Sequence, residues 1–407
     1  MRILHTSDWH LGQHFMGKTR FEEHQAFLRW LVEQVHTHEI DAVLVAGDVF
    51  DTGTPPSYAR ELYNGFIVEL QQTGAQLVIL GGNHDSVAML NESRSLLECL
   101  NVQVIPGVLA DAQHQVITLH NSAGEPGAVL CAVPFIRARE VMASESGQSA
   151  ADKQHTLQQA IAGHYQQLFA QAEQRRQAHG RPLPIIATGH LTTVGASSSD
   201  SVREIYIGTL DAFPASAFPP ADYIALGHIH RPQKVGGYEH IRYSGSPIAL
   251  SFDEVGQQKE VLLVEVGPEG LAAVTPLPVP VFQPMARVKG NLQQLAQAMR
   301  AVAEQEAHQH TLPVWLEVTV AEDDYLSDLQ PRVEQLADGL ALEILLVRRQ
   351  RTALLDGLTA ESRITLSEMT PHEVFAQRLA AEALPADREQ ALNDLYQGVL
   401  AEMEQES

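Results

Sequence analysis

Cysteine is nearly absent: Cys99 and Cys131 are the only two thiols in 407 residues. That excludes a disulfide framework and fits a reducing cytoplasm, with both thiols expected to be buried and structural. No run of about 18 apolar residues occurs, so no transmembrane helix and no membrane association are expected. The N-terminus enters a strand-like segment, Arg2-Ile3-Leu4-His5, without a basic region followed by an apolar one, so no signal peptide is expected. Positive charge is scarce, 27 Lys and Arg against 50 Asp and Glu, a formal net charge of -23. Proteins that live on phosphate contacts are usually basic, because each neutralised phosphate releases counterions. The balance speaks against a free-standing, broadly binding nucleic-acid protein, though not against one whose metal ions and partner supply positive charge. There is no internal repeat and no low-complexity tract. The length admits two or three domains with a sizeable core.

What is present is a series of apolar runs that end in glycine-rich turns: AVLVAGD (42–48), QLVILGGNHD (76–85), GAVLCAVP (127–134), PIIATGH (184–190) and DYIALGHIH (222–230). Near-continuous Val/Ile/Leu/Ala stretches are the signature of strands covered on both faces. Helical periods lie between them, at 22–38, at 57–72 with Ser57 as the cap, and at 153–178, a Gln/Ala-rich helix expected to be mostly exposed. Alternating strands and helices give an α/β fold. The proline-spaced stretch 276–284 reads as a linker. A β-α-β-α-β pattern follows: the strand MARVKG, a helix capped by Asn291, the strand PVWLEVTV, a helix at 324–340 whose regular part starts near Asp328 because of Pro331, and the strand LALEILLV. RRQRTALLDGLT is charged and linker-like. Thr370-Pro371-His372-Glu373 is a capping box opening a helix, and Asp387 opens a second with Leu392, Leu395, Tyr396, Val399, Leu400 and Met403 on a broad face.

The chemistry sits at the strand ends. Asp8 and His10 close the first strand. Asp48 and Asp51 fall in GDVFD, Asn83, His84 and Asp85 in GNHD, His190 in GH, and His228 and His230 in GHIH. Singly, each is a common turn or a solvated pair. Jointly they place ligand-type residues at five strand ends, and in α/β sheets sites form beyond the carboxyl ends of strands. Carboxylate, amide and imidazole donors without thiolate suit Mn²⁺, Fe²⁺ or Zn²⁺ in open coordination, unlike a closed structural zinc site. The donors exceed what one ion needs. Two ions roughly 3.5–4 Å apart sharing a carboxylate would use them all and could clamp a phosphoryl group.

D-x-H, G-D-x-x-D, G-N-H-D, G-H and G-H-x-H in this order over residues 8–230 resemble the calcineurin-like metallophosphoesterase superfamily. MRILHTSDWHLGQ, VAGDVFDTGTPPSYAR, GNHDSVAMLNESR, ATGHLTTVGA and YIALGHIHRPQ narrow the resemblance, over essentially the whole chain, to the SbcD family of bacterial nuclease subunits. The resemblance implies a sandwich of two mixed β-sheets flanked by helices, plus a small α+β cap domain and a C-terminal helical pair. The implied division is 1–280 nuclease domain, 285–350 cap, 351–366 linker and 367–405 helical segment docking an SbcC-type ATPase. It implies Asp8, His10, Asp48 and His230 around one ion and Asp48, Asn83, His190 and His228 around the other. His84 would protonate the leaving oxygen, with Asp51 and Asp85 orienting the site. Manganese-dependent 3′→5′ exonuclease activity on DNA ends, endonuclease activity on single strands and hairpins, and a homodimer bound to the ATPase are further implications.

The rival reading is a metallophosphatase or phosphodiesterase acting on a small molecule or a phosphoprotein. Protein phosphatases of the superfamily carry an arginine directly after the second aspartate of G-D-x-x-D, where this chain has Thr52-Gly53 after Asp51, and they tend to G-N-H-E, where it has Asp85. Given the overall acidity, DNA contact falls to local basic residues near the ligand loops: Lys18, Arg20, Arg94, Arg137, Arg139 and Arg203. Trp9 is expected to pack beside the site rather than stack on a base.

Overall fold

The structure is a computed structural model that describes residues 1–142, 150–194, 196–197, 212–306, 312–321, 329–350 and 392. Arg203 and, apart from Leu392, the C-terminal helical pair read from the sequence lie outside the described residues.

Two six-stranded mixed sheets face each other. In the first, the parallel strands Arg2–Thr6, Ala42–Val45, Gln76–Leu80 and Val102–Ile105 are extended at one edge by antiparallel Glu260–Gly267 and Gly270–Pro278. In the second, parallel Pro126–Cys131, Ile185–His190, Tyr223–Gly227 and Tyr238–Tyr243 are flanked by antiparallel Val116–His120 and Gln233–Val235.

The period of two within each apolar run decides which layer a side chain joins. Ile3, Leu44, Val78 and Leu80 point between the sheets, where they meet Leu130, Ile186, Tyr223 and Ala225. Their neighbours Leu4, Val43, Val45 and Ile79 point outward onto helices Phe21–Thr37 and Ser57–Gln71. On the far side, Val129, Cys131, Ala187 and Leu226 point onto helix Ala150–His179. Strands buried on both faces favour apolar residues at nearly every position, which is why the runs read as almost continuously apolar.

Several sequence expectations change. Helix Ala150–His179 is not mostly exposed: Leu157, Ile161, Tyr165, Leu168 and Ala172 form a buried stripe against the second sheet. Ser57 is the first helical residue, not the cap; Pro56 takes the cap position and no side chain bonds there. Cys99 is exposed on a short helix, whereas Cys131 is buried and burial pushes its thiol up to about 12. Pro276 and Pro278 belong to an edge strand rather than a linker, and an edge is where a strand tolerates residues without an N–H. Among the described residues no helix is long and apolar enough to cross a membrane.

A third sheet of three parallel strands follows, Met285–Gly290, Val314–Val320 and Leu342–Arg349, with the second in the middle. Helices Leu292–Glu306 and Leu329–Leu336 cross over between strands and bury Leu295, Met299, Leu329 and Val333 against Val288, Leu316, Val318 and Val320. The all-parallel connectivity is that of the β-α-β-α-β pattern read from the sequence. Asn291 and Gln294 form a reciprocal capping box, each side-chain oxygen 3.0 Å from the other's backbone nitrogen. Pro331 stands in the first turn of its helix, where no intrahelical bond is lost. The third sheet meets the sandwich through Trp315, stacked on Phe15 at 5.7 Å, and Phe15 in turn packs edge-on against Phe252 at 5.1 Å.

Arg20, read from the sequence as a candidate DNA contact, is 1% exposed. Its guanidinium pairs with Glu23 at 2.6 Å and donates to the Gln13 side chain at 2.8 Å and to the Ala249 carbonyl at 2.6 Å. It cannot reach a phosphate from there. Removing one member of a buried pair strands the other charge. Arg20→Ala is therefore expected to cost about 3–5 kcal/mol of folding stability, read by urea unfolding. A loss under about 1 kcal/mol, accompanied by weakened DNA binding, would reverse the assignment.

Candidate metal centre

The site lies where the carboxyl ends of both parallel runs face one another. The loop after the first strand is laid along the loop after the second: Asp8 N–H donates to the Gly47 carbonyl at 3.0 Å, His10 N–H to that of Asp48 at 3.1 Å, and Leu11 N–H to that of Val49 at 2.9 Å. Asp8, His10, Asp48 and His228 all have positive φ, at 53°, 47°, 51° and 95°. Such backbone is uncommon for non-glycine residues and persists where surrounding bonds over-determine it. Here the reason is visible: the turn aims each side chain back over its strand end. Asp8 also binds across the sandwich, its carboxylate accepting the His228 N–H at 2.9 Å and the Ser7 hydroxyl.

All the predicted ligand positions converge. Asp8, His10 and His230 form one group of mutually close donor atoms and Asp48, His190 and His228 another, with His10, Asp48 and His84 forming a third that shares a residue with each, all within 4.8 Å. Asp48 lies between them: its Oδ2 is 3.6 Å from His10 Nε2 and 3.2 Å from His190 Nε2. Asn83 Oδ1 lies 2.9 Å from His190 Nε2 and 3.2 Å from His228 Nδ1. His84 stands beside the first group, its ring 4.6 Å from that of His10, and its N–H holds Asp48 Oδ1 at 2.9 Å. His84 is only half-buried, whereas His10, His190, His228 and His230 are at most 2% exposed.

The orienting residues are in place. Asp51 Oδ1 is 3.1 Å from His10 Nδ1, and its backbone carbonyl accepts from His84 Nδ1 at 2.7 Å. The Asp85 carboxylate accepts the N–H groups of Val49, Phe50 and Gly82, tying the GNHD loop to the GDVFD loop. Burial and the nearby Asp48 charge nevertheless push its pKa up to about 6. Burial disfavours the Asp48 charge, but the imidazoles of His190, His10 and His84 outweigh it and hold this carboxyl well below its usual value. Burial also opposes protonation of His190, yet the charge and hydrogen bond of Asp48 lift its pKa to about 9. His228 goes the other way, lowered by burial and by His190 beside it.

These residues fit a pair of divalent ions. His10 Nε2 and His228 Nε2 are buried and make no hydrogen bond among the described residues. An orphaned buried nitrogen is costly unless something outside the chain meets it, and both orphans belong to donor groups of this site. The oxygen and imidazole donors without sulfur are those of an open site for hard or borderline cations.

Two residues that contribute here carried no motif. Glu254, in a turn after the last strand of the second sheet, lies 3.3 Å from His230 Nδ1, and buried Lys259 pairs with it at 2.6 Å. The basic candidates near the site are mostly engaged. Lys18 pairs with Glu343, Arg94 pairs with Glu98 at 3.1 Å, and Arg139 is exposed. Arg137 donates to the Asp85 carbonyl at 3.0 Å and holds the GNHD loop from behind. Trp9 is fully buried, edge-on to Phe27 and Phe66, as expected.

Glycine at 82 is required by proximity. A Cβ there would lie 2.1 Å from Asp48 Oδ1 and 2.3 Å from its backbone nitrogen. Gly82→Ala should therefore displace the Asp48 carboxylate that lies between the donor groups while the sandwich survives. The expected outcome is an unchanged far-ultraviolet dichroism spectrum with loss of bound metal by elemental analysis. Full metal retention would mean that the loop gives way instead.

A profile described as calcineurin-like phosphoesterase matches residues 1–232. A second, described as type 5 capsule protein repressor C-terminal domain, matches residues 281–383. The chain is 54% identical over 399 residues to the SbcD component of the SbcCD nuclease of Escherichia coli strain K12, covering 97% of each chain. It is 37% identical over 298 residues to the protein of that name in Rhodobacter capsulatus, covering 71% of each. For the Bacillus subtilis protein the identity is 34% over 274 residues, covering 66% of this chain and 67% of that one. Five ligand-bearing strand ends gathered on a two-sheet sandwich, and similarity over nearly its full length, place this chain in the SbcD family of nuclease subunits, within the calcineurin-like metallophosphoesterases.

Proposed function

We propose that the chain hydrolyses DNA phosphodiesters with two Mn²⁺ ions, as a homodimer working with an SbcC-type ATPase. The observation that carries this reading is the pair of buried donor groups with Asp48 between them, its carboxylate 3.6 Å from His10 and 3.2 Å from His190, and half-buried His84 at their rim. Asp8, His10, Asp48 and His230 hold one ion; Asp48, Asn83, His190 and His228 hold the other. Bound there, the ions supply positive charge for the scissile phosphate and an acidified water as nucleophile. That also answers the overall acidity, since the cations and the partner bring the charge that meets DNA.

His84 is the general acid. Its Nδ1–H donates to the Asp51 carbonyl, so the nitrogen that exchanges a proton is Nε2, on the opposite side of the ring. The ring is fixed by that bond and by the adjacent N–H to Asp48, while its half-exposed position lets a leaving oxygen approach. Residues 1–280 form the nuclease domain, 285–350 the cap, 351–366 a linker and 367–405 the segment that docks on the ATPase. In family terms the activity is 3′→5′ exonuclease on duplex ends and endonuclease on single strands and hairpins. Of the basic candidates, exposed Arg139 is the one left to meet the backbone, since Arg137 is engaged with the GNHD loop.

The decisive assay offers the protein Mn²⁺ with a blunt DNA duplex and, separately, an aryl phosphodiester. DNA degradation supports the nuclease, and turnover of the ester alone supports a small-molecule phosphodiesterase. In the same assay His84→Ala should lower DNA cleavage by about 10²–10⁴-fold while elemental analysis still finds both ions. Loss of an ion would move His84 among the ligands. A chain ending near Arg351 is expected to stay folded and to keep Mn²⁺-dependent cleavage of single-stranded DNA. It should fail to co-purify with the SbcC-type ATPase. Aggregation of that chain would assign the tail to the protein's own core.

A further inference from the structure

Glu254 and Lys259 form a buried charged pair, with side chains 0% and 7% exposed. Ion pairs so deeply buried seldom stabilise a fold relative to apolar residues of the same volume. What they hold explains their presence. All three Lys259 ammonium protons are spoken for: Glu254 Oε2 at 2.6 Å, Ser246 Oγ at 3.0 Å and the backbone carbonyl of His230 at 3.0 Å. Glu254 in turn accepts the Leu250 N–H at 3.0 Å through Oε2 and meets His230 Nδ1 at 3.3 Å through Oε1. One pair of side chains thus grips the same histidine twice, by its main chain and by its ring.

The ring bond has a chemical consequence. A carboxylate accepts only, so His230 Nδ1 carries the proton and Nε2 becomes the lone-pair donor. A ligand in the group that gathers Asp8, His10 and His230 must bring a lone pair, and with Nδ1 protonated toward Glu254 that lone pair is on Nε2. The turn that carries Glu254 is itself anchored: Phe252, two residues earlier, is buried against Phe15, which stacks on Trp315 of the third sheet. We propose that Glu254, held by Lys259, is a positioning residue that sets the tautomer and aim of His230 and so the affinity of the ion it shares with Asp8 and His10. This rests on the reading that His230 is a ligand.

The experiment titrates Mn²⁺ calorimetrically into the metal-free full chain and its variants, with thermal unfolding measured in parallel. His230→Ala sets the reference and should weaken one of two ions. Glu254→Gln combined with Lys259→Met removes both buried charges at nearly constant volume, so its melting temperature should stay near that of the parent. Its affinity for that same ion should nevertheless fall about 10–100-fold, the other ion remaining at parental affinity. Glu254→Gln alone, which keeps an oxygen for Lys259, should show the same selective loss and serves if the double variant does not fold. If His230→Ala weakens one ion while both Glu254 variants bind as the parent does, positioning by Glu254 is overturned and the ligand assignment stands. Equal weakening of both ions together with a lowered melting temperature also overturns it, in favour of a packing role. If His230→Ala itself keeps both ions, the ligand reading fails and the proposal falls with it.

Discussion

The structure is organised around one buried carboxylate. Asp48 is 1% exposed, at the end of a strand that is apolar along its whole length. A charge there must be met by other charges or by directed hydrogen bonds, because a lone ion in a dry interior costs several kcal/mol. Its partners arrive from both sheets: His10 and His84 from the first, His190 from the second. The sandwich must therefore close with the carboxyl ends of both parallel runs in register to within hydrogen-bond distance. The left-handed backbone at Asp8, His10 and His228, and the missing Cβ at Gly82, are local adjustments to that requirement.

Aim is supplied before any ion or substrate arrives. Four imidazoles turn one nitrogen toward the site because the chain engages the other: His10 by Asp51, His84 by the Asp51 carbonyl, His190 by the Ala46 carbonyl and His230 by Glu254. Such outer bonds fix tautomer and ring orientation together. Burial is divided just as sharply, with His10, His190, His228 and His230 sealed and His84 left at the rim.

Much of this could be read from the chain, for a specific reason. Every ligand follows an apolar strand within a few residues, so local pattern and chemistry coincide at one point in the sequence. The α/β class followed from the same runs. What could not be read has the opposite property. Leu4 and Ile3 look alike in a continuous apolar run, yet one faces a helix and the other the opposite sheet. Arg20 sits next to the first motif and looked available to a phosphate, but its ion pair with Glu23 and its bond to the Ala249 carbonyl, 229 residues away, bury it. Glu254 lies in an ordinary turn and Lys259 just ahead of a strand. Their role is set by a histidine 24 and 29 positions earlier. Cys99 looked like Cys131 by rarity alone, and only packing separates them.

The hydrogen bond from His228 to Asp8 spans 220 positions. Contacts of such separation carry a loop-closure cost that delays them in folding. While the chain emerges from the N-terminus, the first half of the site is complete in sequence but lacks the imidazoles of the second sheet. A partly made chain or an N-terminal fragment therefore holds Asp8, His10 and Asp48 without His190, His228 or His230. Catalytic competence in this sense waits on the second sheet: the shears cannot cut until both blades have been made and riveted.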